Sequence, residues 1–186
     1  MRLTLLKDQD LWQLSDMDEV HVELLRQAAD DASMTDCPEG RQRLFPSPVA
    51  EDQQLREGEF LEDWSEFVTG ELDTQFAEDV GTLLADLDGV EMLHAVDEET
   101  MPLDSRYLVR VPLEHASAWF STLNQARLML DTKYQLHPDG EHLQLQLDHS
   151  IDEGGTLHER LAAYMRYEFY ALIQEWLVQQ IMAAED

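Results

Sequence analysis

Apolar residues recurring every third and fourth position dominate this chain, and that period commits most of it to helices. Leu72, Phe76, Val80, Leu83, Leu84 and Leu87 form one such stripe, and Trp119, Leu123, Ala126, Leu130 and Tyr134 form a second. A third runs through Leu157, Leu161, Tyr164, Phe169, Leu172, Trp176, Leu177 and Ile181, opened by a capping box of Thr156 with Glu159. Shorter helical patterns appear in Val20, Leu24, Leu25 and Ala28, starting at Ser15 with Asp18 three residues on, and in Phe60, Trp64, Phe67 and Val68. Gly70 is expected to break or kink the chain between the last of these and the Leu72 stripe.

Strand signals are few. Leu3 and Leu5, then Leu11 and Leu14, flank the polar turn Lys7-Asp8-Gln9-Asp10 and predict an N-terminal hairpin. Tyr107–Val111 predicts a short strand, and Leu143, Leu145 and Leu147 alternate with polar residues across 142–148. The stretch from Gly89 to Asp104 predicts a loop, and Pro112 suits the first turn of a new helix. Pro46 and Pro48 predict an extended path from Arg41 to Pro48. The expected fold class is mainly α, a helical bundle with a minor antiparallel β component. With 186 residues and 44% apolar content, a single helical domain over 1–186 can bury a core.

Charge and motifs narrow the function classes. Forty Asp and Glu against twelve Lys and Arg leave −28, a field that opposes direct binding to nucleic acid. No lysine or arginine stands between Arg56 and Arg106, where Glu62, Glu66, Asp73 and Asp79 are among many carboxylates. These four mark a candidate face for a basic protein partner. Simple solvation, including adaptation to a salty cytoplasm, accounts for the same acidity, and the presence of only two lysines fits it. No run of apolar residues is long enough to span a membrane, and the N-terminus turns polar too soon for a secretory leader, so a cytoplasmic location is expected. Cys37 is the only cysteine, which excludes an internal disulfide and a cysteine-based metal cage.

No phosphate loop, dinucleotide fingerprint or nucleophile elbow is present, and no enzyme is expected. The alternative is a metal-dependent enzyme or metal sensor using His137, His142, His149 and His158 with Asp148 and Asp152. Their spacing lacks the short fixed intervals of a zinc motif, so no metal or other cofactor is assigned. The strongest constellation is Trp119-Phe120-Ser121-Thr122-Leu123-Asn124-Gln125-Ala126-Arg127-Leu128-Met129-Leu130, in which Asn124 and Arg127 share a side of a helix. A guanidinium among leucines needs a carboxylate or carbonyl partner, so Arg127 is read as a structural tie, with a ligand site as the other reading. Arg41 and Arg43, ahead of Leu44-Phe45-Pro46, are expected to anchor their own segment.

The order Arg43-Leu44-Phe45-Pro46, Glu59-Phe60, Trp119 to Asn124, then Arg127-Leu128 to Leu130 resembles the bacterial domain of unknown function 2017 family. The helices at Leu14–Leu25 and Ile173–Leu177 match its first and last helices, so the resemblance covers nearly the whole chain. Gln125 stands where the family tends to have the aspartate of L-N-D, Asp131 where it tends to have glycine, and the Leu143–Leu147 segment resembles an insertion. The family is typical of actinobacteria, and its genes often lie near that of the ClpS adaptor of Clp proteolysis. The resemblance makes Arg43, Phe45, Trp119, Asn124 and Arg127 motif residues with scaffold roles. It implies a non-enzymatic regulatory or adaptor protein acting through protein–protein contacts, linked to Clp-type proteolysis or stress response. Aromatic stripes on several helices also raise the prospect of a homodimer.

Overall fold

The computed structural model describes residues 1–33, 36–49, 58–93, 106–136 and 156–180. The fold is mainly α with a small antiparallel sheet. Strands β1 (Arg2–Leu6) and β2 (Leu11–Met17) form the predicted hairpin, closed by a 3-10 turn at Lys7–Gln9 and Asp10 in the left-handed region at φ 51°. Helices α1 (Glu19–Ala32) and α2 (Pro38–Leu44) follow. Next come α3 (Gly58–Asp63), a π-helical stretch at Trp64–Thr69, and α4 (Gly70–Asp88). Strands β3 (Glu91–Leu93) and β4 (Arg106–Pro112) complete a sheet ordered β1-β2-β4-β3, and α5 (Ala116–Tyr134) and α6 (Leu157–Gln180) complete the described elements.

Helix α5 is the axis of the molecule, packed by α1, α2, α4 and α6. It is buried on more than one side, through Trp119, Thr122, Leu123, Gln125, Ala126, Met129 and Leu130. Trp12 of β2 meets Trp119 edge-to-face, with ring centres 5.0 Å apart, and joins the sheet to this axis. Leu14, Val109 and Val111 extend the same core from the sheet, and Leu25, Ala28, Leu83, Leu87, Ile173 and Leu177 close it from the helices.

Several local expectations are corrected. Helix α1 is capped by Asp18, which accepts from the His21 N–H at 2.9 Å, so β2 continues past Ser15 to Met17. A register shift between Leu14 and Met17, with Asp16 at φ 54°, lets the strand turn into the helix. Residues 41–44 are helical, not extended, because Pro38 sits in the first turn of α2 and the restraint of Pro46 acts only beyond Leu44. Gly70 has ordinary helical angles, φ −64° and ψ −41°, and the irregularity is the π stretch just before it. Part of the expected 89–104 loop is strand β3, tied to β4 by the ion pair of Arg110 with Glu91. Pro112 ends β4, and α5 begins four residues later after a 3-10 turn. The Thr156–Glu159 capping box is present, with Glu159 accepting from the Thr156 N–H at 2.8 Å. The strand expected at 142–148 lies outside the described residues.

Candidate functional site

The R-L-F-P segment works as a clamp. Arg43 donates to Asp131 at 3.0 Å and to Thr132 at 2.8 Å, which fastens α2 to the end of α5. Arg41 donates to Asp73 on α4 at 3.1 Å and lies 5.1 Å from the centre of the Phe45 ring, which packs on Phe76. The expected anchoring by both arginines is seen, though of a helix. Gly40 permits the close approach: a Cβ there would fall 2.5 Å from the Met129 sulfur.

Trp119 is fully buried, and its indole N–H donates to Asp86 at 2.8 Å. Nδ1 of His115 meets both oxygens of the same carboxylate, at 3.0 and 3.1 Å. Asp86 therefore ties α4 to the start of α5. The sequence reading missed this node, since His115 and Asp86 are 29 positions apart and neither belongs to a recognisable motif.

Arg127 is half-buried at the α5–α6 junction. It donates to the Gln174 side-chain carbonyl at 2.6 Å and to the Tyr167 hydroxyl at 2.8 Å, and its guanidinium lies 4.4 Å from the Tyr167 ring centre. Gln174 in turn donates to the Phe120 carbonyl at 3.0 Å. The expected carbonyl partner is thus an amide side chain, and the tie joins α5 to α6. Arg127 and Gln174 line an open groove of about 430 Å³ with Phe120, Asn124, Ala171 and Val178. Glu175 and Gln179 complete it and hydrogen-bond each other at 2.8 Å. Asn124 is exposed at its edge.

Of the four candidate acidic residues, Glu66 and Asp79 line one open trough with Glu71 and Glu78. Asp73 is engaged by Arg41. Asp79 is half-buried and turned toward α5, where burial raises its pKa and a hydrogen bond from Ser121 works against that rise. Glu62 and Glu66 are exposed. Among the described residues, no group of three His, Cys, Asp or Glu could hold a metal ion. His137, His142, His149, Asp148 and Asp152 lie outside those residues, and His158 is exposed at the start of α6. Among the described residues, no helix is long and apolar enough to cross a membrane.

Helix α6 carries a second apolar face. Leu157, Leu161, Met165 and Leu172 fall on one stripe, with exposures of 47%, 41%, 65% and 39%. The core-facing stripe is instead Ala163, Tyr170, Ile173, Gln174 and Leu177, which corrects the expectation that Leu157, Leu161 and Leu172 face inward.

With clamp, node and groove in place, the comparison with known families has a geometric reading. The family described as Domain of unknown function (DUF2017) matches residues 3–181. The chain belongs to this family. The match spans the hairpin, the α2 clamp and the α5–α6 tie. No curated protein and no solved structure matches the chain.

Proposed function

We propose that this DUF2017 protein is a non-enzymatic regulator or adaptor that works through protein–protein contacts. The observation that carries the reading is the outer stripe of α6. Leu157, Leu161, Met165 and Leu172 lie opposite the core face of their own helix and leave 39% to 65% of their surface to solvent. A row of large apolar side chains at helical spacing suits the side of a partner helix. Glu168 and Glu175 stand within the stripe, which favours a partner carrying basic residues beside its apolar ones. The link to Clp-type proteolysis or a stress response rests on the family resemblance and is part of this proposal, as is a cytoplasmic setting.

The test is retention from an extract of the source cells at low and moderate salt, comparing the wild type with a Leu161→Asp, Met165→Asp double variant. The reading predicts one protein retained at both salt levels and released from the variant, whose melting temperature is unchanged. Recovery of no specific partner at either salt level overturns it.

A further inference from the structure

We propose that the groove between α5 and α6 is a carboxylate-binding site, with Arg127 as the charged group and Asn124 as its neutral companion. The charge pattern of the chain motivates this. Arg41, Arg43, Lys133 and Arg166 each sit against a carboxylate at 3.1 Å or less. Among the described residues, Arg160 donates only to the backbone carbonyls of Tyr134 and Gln135, and Arg127, the one of the two that lines a groove, has only uncharged partners, the Gln174 carbonyl and the Tyr167 hydroxyl and ring. In a chain of net charge −28, that leaves a guanidinium whose charge no carboxylate among the described residues neutralises at contact.

The donor arithmetic leaves room for a ligand. A guanidinium has five N–H donors; here one goes to Gln174, one to Tyr167, and the Nε–H is buried without a partner. Two N–H groups on the terminal nitrogens remain. The Asn124 side chain is exposed and makes no hydrogen bond to another described residue, so its amide N–H groups can join them. Arg127 is half-buried and, with Asn124, lines this open groove.

The surroundings select the kind of anion. One guanidinium, with Glu175 also lining the groove and a strongly negative protein around it, favours a single negative charge over a phosphate dianion. A carboxylate matches a pair of guanidinium N–H donors in plane. Phe120, Ala171 and Val178 supply apolar wall for the body that bears it. The ligand is therefore a monocarboxylate on an apolar group, presented either by a small acid or by the C-terminus of a peptide. This proposal does not rest on the outer stripe of α6, although the groove shares Glu175 with it.

Isothermal titration and amide chemical-shift mapping on the full chain test the assignment. The probes are N-acetyl-leucine, N-acetyl-leucinamide, and a hexapeptide ending in leucine as the free acid or the amide. At low ionic strength at least one free acid should bind, with its amide ten-fold or more weaker and with shifts confined to α5 and α6 around Arg127. Binding of the small acid points to a metabolite-like source, and binding of the peptide acid alone points to a protein terminus. Arg127→Gln should abolish the preference for acid over amide. Since Arg127 also ties two helices, Asn124→Ala serves as the second variant: with an exposed side chain that bonds no other described residue, it should melt as the wild type does and bind several-fold more weakly. Equal binding of acids and amides, no binding of either acid, or full acid preference in both variants overturns the proposal.

Discussion

On one side of α6, Tyr170, Ile173 and Leu177 are wholly removed from water, while across the helix Leu157, Leu161, Met165 and Leu172 keep 39% to 65% of their surface. Both faces carry large apolar side chains, so apolar content alone does not choose between them. The buried face includes a tyrosine and a glutamine, each with its polar atoms satisfied: the Tyr170 O–H lies 3.2 Å from the Leu24 carbonyl and 2.8 Å from Asp31, and Gln174 bridges Phe120 and Arg127. What separates the faces is therefore the polar framework that receives them. Tyr170 and Gln174 reach fixed partners on α1 and α5, and that geometry orients the helix.

The largest effect is expected where that framework is ionic. Asp31 is 3% exposed, accepts from Tyr170 and lies 3.0 Å from Arg166, whose Nε–H is not aligned with it for a hydrogen bond. Asp31→Ala would leave a partly buried guanidinium and a buried hydroxyl without their acceptor, and should cost about 3–5 kcal/mol in urea unfolding. A loss below about 1 kcal/mol would show that the core face does not depend on this node. Next comes Ile173→Ala, which opens a cavity in the packed side of α6 and should cost about 2–5 kcal/mol. The same measurement checks it.

Tyr170→Phe keeps the ring and removes only the hydroxyl, leaving Asp31 short of one donor, so a loss of about 1–3 kcal/mol is expected. The same node gives a pH signature. Burial raises the pKa of Asp31 above the ordinary carboxyl value, outweighing the Arg166 charge and the Tyr170 hydrogen bond, which both lower it. A carboxyl with a raised folded-state pKa contributes stability at pH below its ordinary value, and loses it as pH rises through the raised one. Relative to Asp31→Asn, the wild type should thus become progressively less stable from acidic to neutral pH, read as the difference in Tm. A difference that grows in favour of the wild type would reverse the sign and place the ion pair above burial.

The period of apolar residues made α4, α5 and α6 legible, since 3.6-residue spacing is a property of one segment alone. It could not say which of two apolar stripes on α6 turns inward, because that choice depends on Asp31 and Phe120, 139 and 54 positions away from their partners. The hairpin and the Thr156 cap were readable for the same local reason. Helix α2 was not, because Pro46 and Pro48 suggested extension while the first-turn role of Pro38 and the contact of Gly40 with Met129 decide the outcome. At the candidate site, Asn124 and Arg127 were identified by spacing, whereas Gln174 and Tyr167 had no signal until α6 was docked. The pairing of Asp86 with His115 was invisible for the same reason.

The smallest expected effect is the most diagnostic for the outer face. Leu161→Ala and Met165→Ala remove apolar volume from side chains that keep 41% and 65% of their surface, so little buried area is lost. Each should fall within about 0.5 kcal/mol of the wild type in urea unfolding. Set against Ile173→Ala on the same helix, this is a contrast between burial and exposure within similar helical surroundings. If Leu161→Ala destabilises by as much as Ile173→Ala, the outer stripe is part of the protein's own packing and cannot serve as a surface for a partner. If it is neutral for folding yet weakens partner retention, the stripe is held in place by the core face and used from the other side.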